Sequence, residues 1–207
     1  MAQFLSIHPD NPQGRLLDTV GAILRDGGLI VYPTDSCYAL GCQVGDKAAA
    51  ERIRKIRETG KDHNFTLVCR DLSEIAVYAT VDNSAYRLIR ALTPGPYTFI
   101  LRATKEVPKR LQHPKRRSIG LRVPDNAITQ GILEALDAPI MSSTLIFPGE
   151  DLPITDAMEI RERLERLVDV VVDGGSCGLE PTTVLDLTGA KVVVSRKGKG
   201  DVSFLEQ

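Results

Sequence analysis

Short apolar runs that alternate with amphipathic helical segments restrict the fold of this chain more than any other feature. Residues 29–32 are typical of a buried strand that Pro33 stops, and residues 140–144 and 168–172 form similar runs. Residues 15–25 instead carry apolar side chains at the three- and four-residue spacing of a helix. Because the segments do not follow a strict strand–helix–strand order, we predict an α/β fold with a twisted mixed β-sheet and flanking helices.

Aspartates mark where several helices should begin, because a carboxylate at that position accepts a hydrogen bond from the first turn. Four of them stand before segments with helical spacing: Asp46, Asp71, Asp82 and Asp125. A charged helix is expected over residues 155–167. Residues 182–187 and 191–195 are expected to close the sheet as a pair of strands.

Composition bounds the class of protein. The 207 residues suit a single domain over 1–207, with a core at about 14–200. With 26 basic and 27 acidic residues the net charge is −1, so only the distribution of charge can indicate a nucleic-acid partner. The four cysteines form no CxxC pair and the three histidines lie far apart, which disfavours a metal site or a disulfide framework. The chain shows neither a signal peptide nor an apolar run of about 20 residues, so we expect a cytoplasmic protein outside the membrane.

Several familiar chemistries have no motif here. There is no dinucleotide-binding GxGxxG after a strand, no GxxxxGK[ST] phosphate loop and no GxSxG elbow. Cys37 follows a strand, but a small buried thiol is a better interpretation than a nucleophile, since sequence alone cannot place His63 beside it.

Hydroxyls and cations instead collect where strands end. The turn Thr34-Asp35-Ser36 either bonds its own backbone or faces a ligand beyond the sheet edge. Arg122 stands between apolar residues and needs a partner, which is either a structural carboxylate or a ligand anion. Lys55 and Arg57 can share a ligand only if their helix unwinds, because residues two apart point to nearly opposite sides.

Two further groups extend this pattern. Hydroxyls follow the strand at 140–144 and recur near the end of the chain with an arginine, and they either bind phosphate oxygens or cap turns: Ser142, Ser143, Thr144, Thr182, Thr183 and Arg196. One segment contains six basic residues against a single acid, Glu106: Lys105, Lys109, Arg110, Lys115, Arg116 and Arg117. That segment is either a footprint for phosphodiester backbone or a solvated loop.

Taken together and in this order, the segments resemble the YrdC/YciO family over residues of about 14–200. The matching stretches are 28–41 (GLIVYPTDSCYALG), 55–57, 93–98, 120–124, 142–149 and 181–186. The opening IHPDNPQ and the segment HNFTLVCRDLSE resemble the YciO branch. Each stretch is weak alone, but the ordered set is specific.

The resemblance implies a YrdC/RibB-like sheet around a large positively charged cavity. It also implies a reaction in which ATP, bicarbonate and L-threonine give threonylcarbamoyl-AMP and pyrophosphate, the precursor of a modified adenosine in tRNA. ATP with Mg²⁺ would be a substrate, AMP and L-threonine would be ligands, and no tightly bound cofactor is implied. Some family members are described as binding double-stranded RNA, which makes such RNA or tRNA an expected partner.

Site residues follow from the same resemblance. The nucleotide is expected at Lys55, Arg57, Ser142, Thr144, Thr182 and Arg196. Threonine is expected at Thr34, Arg122 and Thr183. RNA is expected at Lys109, Arg110, Lys115, Arg116 and Arg117. No catalytic nucleophile is assigned, because adenylyl transfer depends on alignment and charge neutralisation.

One departure from the family pattern bears on activity. Active members carry an SxN motif whose Asn reaches the nucleotide, and here the motif reads Thr144-Leu145-Ile146. A lost buried polar contact costs about 1–3 kcal/mol, or roughly a factor of ten to a hundred in binding. We therefore expect a weak or altered synthase, with a non-catalytic RNA-binding protein as the alternative.

Overall fold

One mixed β-sheet carries the fold. The structure, a computed structural model, describes residues 1–60 and 63–205. The strands in these residues are β1 (Gln3–Ser6), β2 (Ile30–Tyr32), β3 (Ala39–Gln43), β4 (Thr66–Val68), β5 (Ala79–Thr80), β6 (Tyr97–Ala103), β7 (Ser118–Arg122), β8 (Ile140–Thr144), β9 (Val170–Asp173), β10 (Thr183–Asp186) and β11 (Val193–Arg196). The helices are α1 (Gly14–Arg25), α2 (Lys47–Arg57), α3 (Leu72–Tyr78), α4 (Asn83–Leu92), α5 (Ala127–Leu136) and α6 (Ala157–Leu164).

The strands lie in the spatial order β1-β9-β2-β3-β8-β4-β7-β6-β10-β11, and β5 pairs with the end of β6. Four pairs are parallel: β1 with β9, β2 with β9, β4 with β7, and β6 with β10. The remaining pairs are antiparallel. The twisted mixed sheet with flanking helices is therefore confirmed.

Helices cover both faces of the sheet. Side chains alternate across a sheet, so neighbours in one strand face different cores. In β2, Ile30 and Tyr32 join the cluster formed with α1 and α5, whereas Val31 joins the cluster that takes in α2, α4 and α6. The central strands are thus buried on both sides, which explains their continuous apolar runs.

Most predicted helix starts are confirmed. The Asp46 carboxylate accepts from Ala49 N at 2.9 Å, and Asp71 and Asp82 cap α3 and α4 in the same way. The prediction for Asp125 is wrong by one residue, since Asn126 accepts from Thr129 N and caps α5. The helix expected over 155–167 is shorter, because Asp156 caps it and it ends at Leu164.

The division into one domain over 1–207 stays a prediction, although one sheet extends from β1 to β11. None of the helices in residues 1–60 and 63–205 combines the length and apolar character that a membrane span requires. Within the same residues, no group of three or more His, Cys, Asp and Glu side chains is placed to hold a metal ion.

Candidate functional site: an arginine-lined cavity

A cavity of about 390 Å³ opens on the face of the sheet that carries α1 and α5. Seven strands that adjoin in the sheet contribute residues to its lining: β3, β8, β4, β7, β6, β10 and β11. The alternation of side chains along each strand shows on which face of the sheet the cavity opens. Ile140 and Val68 belong to the α1/α5 cluster, and Ser142 and Thr66, two residues away on the same strands, line the cavity. The volume falls in the range of about 300–1,000 Å³ that is usual for small-molecule sites.

The cavity wall is rich in arginine. Four guanidinium side chains line it: Arg57, Arg116, Arg122 and Arg196. Among its described lining residues there is no aspartate or glutamate. Two of the four arginines form ion pairs with carboxylates that lie outside the lining. Arg116 pairs with Asp186 at 3.1 Å, and Arg122 pairs with Asp35. The described lining therefore carries an excess of positive charge.

Arg122, at the end of β7, forms a buried ion pair with Asp35. Each of the two side chains is only 8% exposed. Arg122 Nη1 also donates to Ser36 Oγ at 3.3 Å, and the second oxygen of Asp35 accepts from Asp125 N at 2.9 Å. Of the two partners left open for Arg122, the structure contains the carboxylate. The pair reduces the charge that a ligand would meet at this wall.

Arg57, the last residue of α2, is held differently. Its Nη1 donates to Ser143 Oγ at 2.8 Å and to the backbone oxygen of Thr144. Both acceptors are neutral, no carboxylate pairs with Arg57 among residues 1–60 and 63–205, and Nε is buried without a hydrogen-bond partner. Burial lowers the pKa of the Arg57 guanidinium, as expected for a cation taken out of water without a counter-charge.

His63 stands beside Arg57 in the cavity wall. Its Nε2 lies 2.9 Å from Ser143 Oγ, and its ring meets the ring of Phe65 edge-on at 5.1 Å between centres. Burial and the positive charges of Arg57 and Arg54 lower the pKa of His63 to about 4. His63 is therefore neutral near physiological pH, and Ser143 joins it to Arg57.

Arg196 lies at the far edge of the cavity, on β11. Its Nε and Nη2 donate to the backbone oxygen of Thr182 at 3.1 and 2.9 Å, and Nη2 is 3.2 Å from Thr182 Oγ1. Thr182 Oγ1 is in turn 2.8 Å from Thr98 Oγ1. Much of Arg196 stays exposed, and the burial of the rest lowers its pKa. A ligand at this edge would meet a cation and a pair of hydroxyls.

Six residues predicted for a ligand line this one cavity, although their roles as contacts stay predictions: Arg57, Arg122, Ser142, Thr144, Thr182 and Arg196. Lys55 is not among them. It is exposed, and α2 remains helical through Arg57 and ends only at Glu58, which has the left-handed φ of 47°. The expected convergence of Lys55 with Arg57 is therefore wrong, because the helix does not unwind between them.

Two residues predicted to bind the substrate L-threonine, Thr34 and Thr183, form hydrogen bonds within the protein through their hydroxyls. Thr34 Oγ1 donates to Cys37 O at 2.7 Å and accepts from Ser36 N and Cys37 N, so it closes its own turn. Thr183 is completely buried, and its hydroxyl donates to Gly200 O at 2.6 Å. Both residues lie outside the described lining, and their roles as threonine contacts stay predictions.

The segment in place of the SxN motif turns an aliphatic side chain toward the cavity. Ile146 lines the cavity, whereas Leu145 is completely buried and its N–H donates to Tyr38 O at 2.9 Å. The Arg163 guanidinium lies 3.6 Å above the Phe147 ring. Packing on both sides of Ile146 therefore holds it in place.

The basic segment forms part of the cavity rim. All five residues predicted to contact RNA are exposed: Lys109, Arg110, Lys115, Arg116 and Arg117. The residues Leu111, His113 and Arg116 line the cavity. Cys37 also lines it, but burial raises the pKa of its thiol to about 11, which agrees with an unreactive thiol.

Sequence reasoning missed three contributions to this site. It did not pair Asp35 with Arg122, gave His63 no place in the cavity and gave Thr98 no role of its own. The only sequence signal for the ion pair was a buried arginine at one strand end and an aspartate in the turn after another.

The fold and this cavity define a class: an α/β protein with an arginine-lined cavity across the strands of a mixed sheet. Residues 22–198 match the Sua5/YciO/YrdC family, whose description reads telomere recombination. The chain therefore belongs to this family.

Its relatives fall into two groups. The chain is 56% identical over 202 residues to the uncharacterized protein YciO of Escherichia coli K12, with 98% of each chain covered. It is 28% identical over 183 residues to a threonylcarbamoyl-AMP synthase of Stenotrophomonas maltophilia, with 86% of this chain and 97% of that protein covered.

Solved structures agree with the fold. The crystal structure of E. coli YciO superposes with a TM-score of 0.93 over 97% of this chain and 98% of that chain. The crystal structure of P. abyssi Sua5 complexed with L-threonine superposes with a TM-score of 0.89 at 23% identity, over 98% of this chain and 59% of that one. At that identity the second likeness supports the fold alone.

Proposed function

We propose that this chain is a nucleotide-binding enzyme of the threonylcarbamoyl-AMP synthase type, with weak or altered activity. Its substrates would be ATP with Mg²⁺, bicarbonate and L-threonine, and its products threonylcarbamoyl-AMP, pyrophosphate and water. The observation that carries the proposal is Arg57, a half-buried guanidinium at the cavity wall that bonds only neutral acceptors among the described residues. A buried cation of this kind is stabilised when an anion enters the cavity.

The relatives support the choice of reaction. A protein named threonylcarbamoyl-AMP synthase covers most of this chain at 28% identity, and the P. abyssi protein of the same fold holds L-threonine in its crystal. Both names belong to those proteins, and for this chain they indicate which ligands to test first.

The cavity suits adenylyl transfer. In the proposed reaction the amino group of L-threonine bonds to the carbon of bicarbonate, and water leaves to give the threonine carbamate. An oxygen of this carbamate then attacks the α-phosphorus of ATP, a new P–O bond forms, and the bond to pyrophosphate breaks. Arg57, Arg196, Thr144 and Thr182 line the cavity, where they would align the nucleotide and neutralise its phosphates. Arg122 would hold the threonine carboxylate with the donors that its pair with Asp35 leaves free.

Ile146 supports the weak or altered part of the proposal. The family pattern has an Asn that reaches the nucleotide, and an aliphatic side chain occupies that wall here. It offers no hydrogen bond to a nucleotide.

The test of this proposal is ATP- and threonine-dependent formation of threonylcarbamoyl-AMP, followed by chromatography and mass spectrometry. We expect slow formation by the purified chain and at least a tenfold loss with Arg57→Met, because a hydrogen bond to a charged group contributes about 1.5–3 kcal/mol. A rate that Arg57→Met leaves unchanged would remove this cavity as the active site.

The exposed basic rim favours a second candidate, a protein that binds double-stranded RNA or tRNA. Five cationic side chains of one segment are exposed beside the cavity mouth. Phosphodiester binding through them should weaken steeply with salt and should fall when Lys115 and Arg117 are both changed to Gln. An RNA affinity that ignores salt would rule this candidate out.

A further inference from the structure

Ser142 is a hydroxyl in the floor of the cavity whose other partners the structure fixes. It lies in β8, is 5% exposed and lines the cavity. Within residues 1–60 and 63–205, two protein groups form hydrogen bonds with its Oγ: the backbone oxygen of Leu40 at 3.1 Å and the phenol oxygen of Tyr32 at 2.7 Å. These two contacts decide which hydrogen-bonding capacity is left for a ligand.

The direction of both hydrogen bonds follows from the chemistry of the groups. A serine hydroxyl has one proton to donate and two lone pairs that accept. A carbonyl oxygen only accepts, so the Ser142 proton is used in the bond to Leu40. The Tyr32 phenol must then donate to Ser142, and it occupies one of the two lone pairs.

The surroundings of Tyr32 fit this direction. Its side chain is completely buried, and Ser142 is the partner that the described structure gives its hydroxyl. Burial raises the pKa of Tyr32 to about 12, so the phenol keeps its proton. A buried phenol that donated to nothing would lose the free energy of a hydrogen bond.

We propose that Ser142 acts toward the ligand as a hydrogen-bond acceptor, so that a hydroxyl or amino group of the ligand lies over it rather than a phosphate oxygen. This inference rests on the proposed function, and it differs from the alternative in the sequence analysis that the Ser142 hydroxyl binds phosphate oxygens. An ionised phosphate oxygen has no proton and would place its lone pairs against that of Ser142. The ligand must therefore carry an N–H or O–H donor as well as the anionic group that the arginines attract.

Both proposed substrates contain this chemistry, and a comparison of probes distinguishes them. ATP has ribose hydroxyls and an amino group, and L-threonine has a hydroxyl and an amino group. Magnesium tripolyphosphate carries the anionic charge without any such donor, and L-2-aminobutyrate is threonine without its hydroxyl. These four compounds would be titrated calorimetrically into the full chain and its variants.

The variants are chosen so that a loss of protein stability is not mistaken for a loss of ligand affinity. Ser142→Ala leaves the Tyr32 hydroxyl without its acceptor, whereas Tyr32→Phe/Ser142→Ala removes both groups and should be nearly neutral for stability. Tyr32→Phe alone is the matched control, because it keeps the acceptor on Ser142.

In the double variant we expect the affinity for ATP or for L-threonine to fall roughly threefold to tenfold, with tripolyphosphate affinity unchanged. The ligand that weakens is the one whose donor lies over Ser142, and if L-threonine weakens while L-2-aminobutyrate does not, the donor is the threonine hydroxyl. The Tyr32→Phe variant should bind all four like the wild type.

An equal loss for tripolyphosphate would overturn the inference, because Ser142 would then donate to phosphate. Unchanged affinities for all ligands would overturn it as well. A wild-type chain that binds neither ATP nor L-threonine would refute the proposed function itself, and the inference with it. If the wild type binds ATP or L-threonine but the variants do not show the expected differences in affinity, the inference about Ser142 is refuted and the proposed function is not.

Discussion

Two walls of the same cavity hold an arginine in opposite ways. At the end of β7, Arg122 forms an ion pair with Asp35, and both side chains are buried. At the end of α2, Arg57 bonds the Ser143 hydroxyl and a backbone carbonyl, and among the described residues it has no carboxylate partner. One charge is compensated within the protein, and the other is compensated only by what enters the cavity.

The contrast separates an arginine whose charge a carboxylate of the protein balances from one that has no such partner among the described residues. A buried ion pair is sensitive to the loss of either member, because the remaining charge stays out of water. A buried cation without a partner costs stability in the empty protein and gains from a bound anion. We therefore expect substitutions at Arg122 and Asp35 to act first on stability, and substitutions at Arg57 to act first on ligand affinity.

The largest expected effect comes from Asp35→Ala, which makes the Arg122 wall resemble the Arg57 wall. It leaves Arg122 buried without a counter-charge, so the free energy of unfolding should fall by about 3–5 kcal/mol in urea denaturation. ATP should restore part of the loss, because Arg122 can then attract phosphate. The matched control, Asp35→Leu/Arg122→Met, removes both charges and should regain most of the stability. A loss below about 1 kcal/mol for the single variant would show that the pair is not buried in solution.

The next effect concerns Arg57 and its neighbour Lys55. Arg57→Met should weaken ATP binding about tenfold to a hundredfold, since it removes charged hydrogen bonds to phosphate. It should leave the free energy of unfolding unchanged or higher, because the variant no longer buries a cation. Lys55→Met, two residues away on the exposed side of α2, is the control and should leave the affinity within about twofold. If Arg57→Met and Lys55→Met lost the same ATP affinity, the assignment of Arg57 to the cavity wall and of Lys55 to the solvated surface of α2 would be contradicted.

A smaller effect, a gain in ATP affinity, is expected from Ile146→Asn in the cavity lining. An amide at this lining position restores the polar contact of the family pattern. ATP affinity should rise roughly threefold to tenfold, as expected for one net hydrogen bond, and threonylcarbamoyl-AMP formation should become faster. Ile146→Val keeps the wall apolar and should change neither quantity. An Asn variant that behaves like the Val variant would mean that residue 146 does not face the nucleotide.

The smallest effect is a pH dependence at His63. Its pKa in the folded protein is about 4, whereas an unfolded histidine titrates at about 6.5. As pH falls through about 6.5 the unfolded state takes up a proton that the folded state refuses, so the free energy of unfolding decreases between these two values. Urea denaturation over this range should show a shallower slope for His63→Gln than for the wild type. The exposed His8→Gln variant is the control. A slope that His63→Gln leaves unchanged would place His63 in water.

The fold was predictable where local patterns determine it. The carboxylates of Asp46, Asp71 and Asp82 mark their helix starts, because a cap acts over three residues. Strand β3 escaped prediction because it has no alternating pattern and contains Gly41. A Cβ on Gly41 would come within 2.7 Å of the Tyr32 ring, so that glycine reflects close packing against a strand that only the fold places there.

The sequence predicted which residues line the cavity better than it predicted which residues pair with each other. Arg57 and Arg122 reach one cavity, yet the partner of Arg122 lies 87 residues away in the sequence, and nothing local couples the two. The expected convergence of Lys55 with Arg57 came from the family resemblance, whereas helix periodicity alone puts the two residues on different sides. The Thr183 hydroxyl donates to Gly200 O, 17 residues further along the chain, and nothing local in the sequence indicates that bond.

The most direct measurement is a crystal structure of the full chain grown with MgATP. We expect the triphosphate inside the cavity, within hydrogen-bond distance of Arg57, with the pair between Arg122 and Asp35 retained. A nucleotide bound outside the cavity, or one whose phosphates lie on the outer surface beside Lys55, would contradict the central claim that Arg57 in the cavity wall binds the anion.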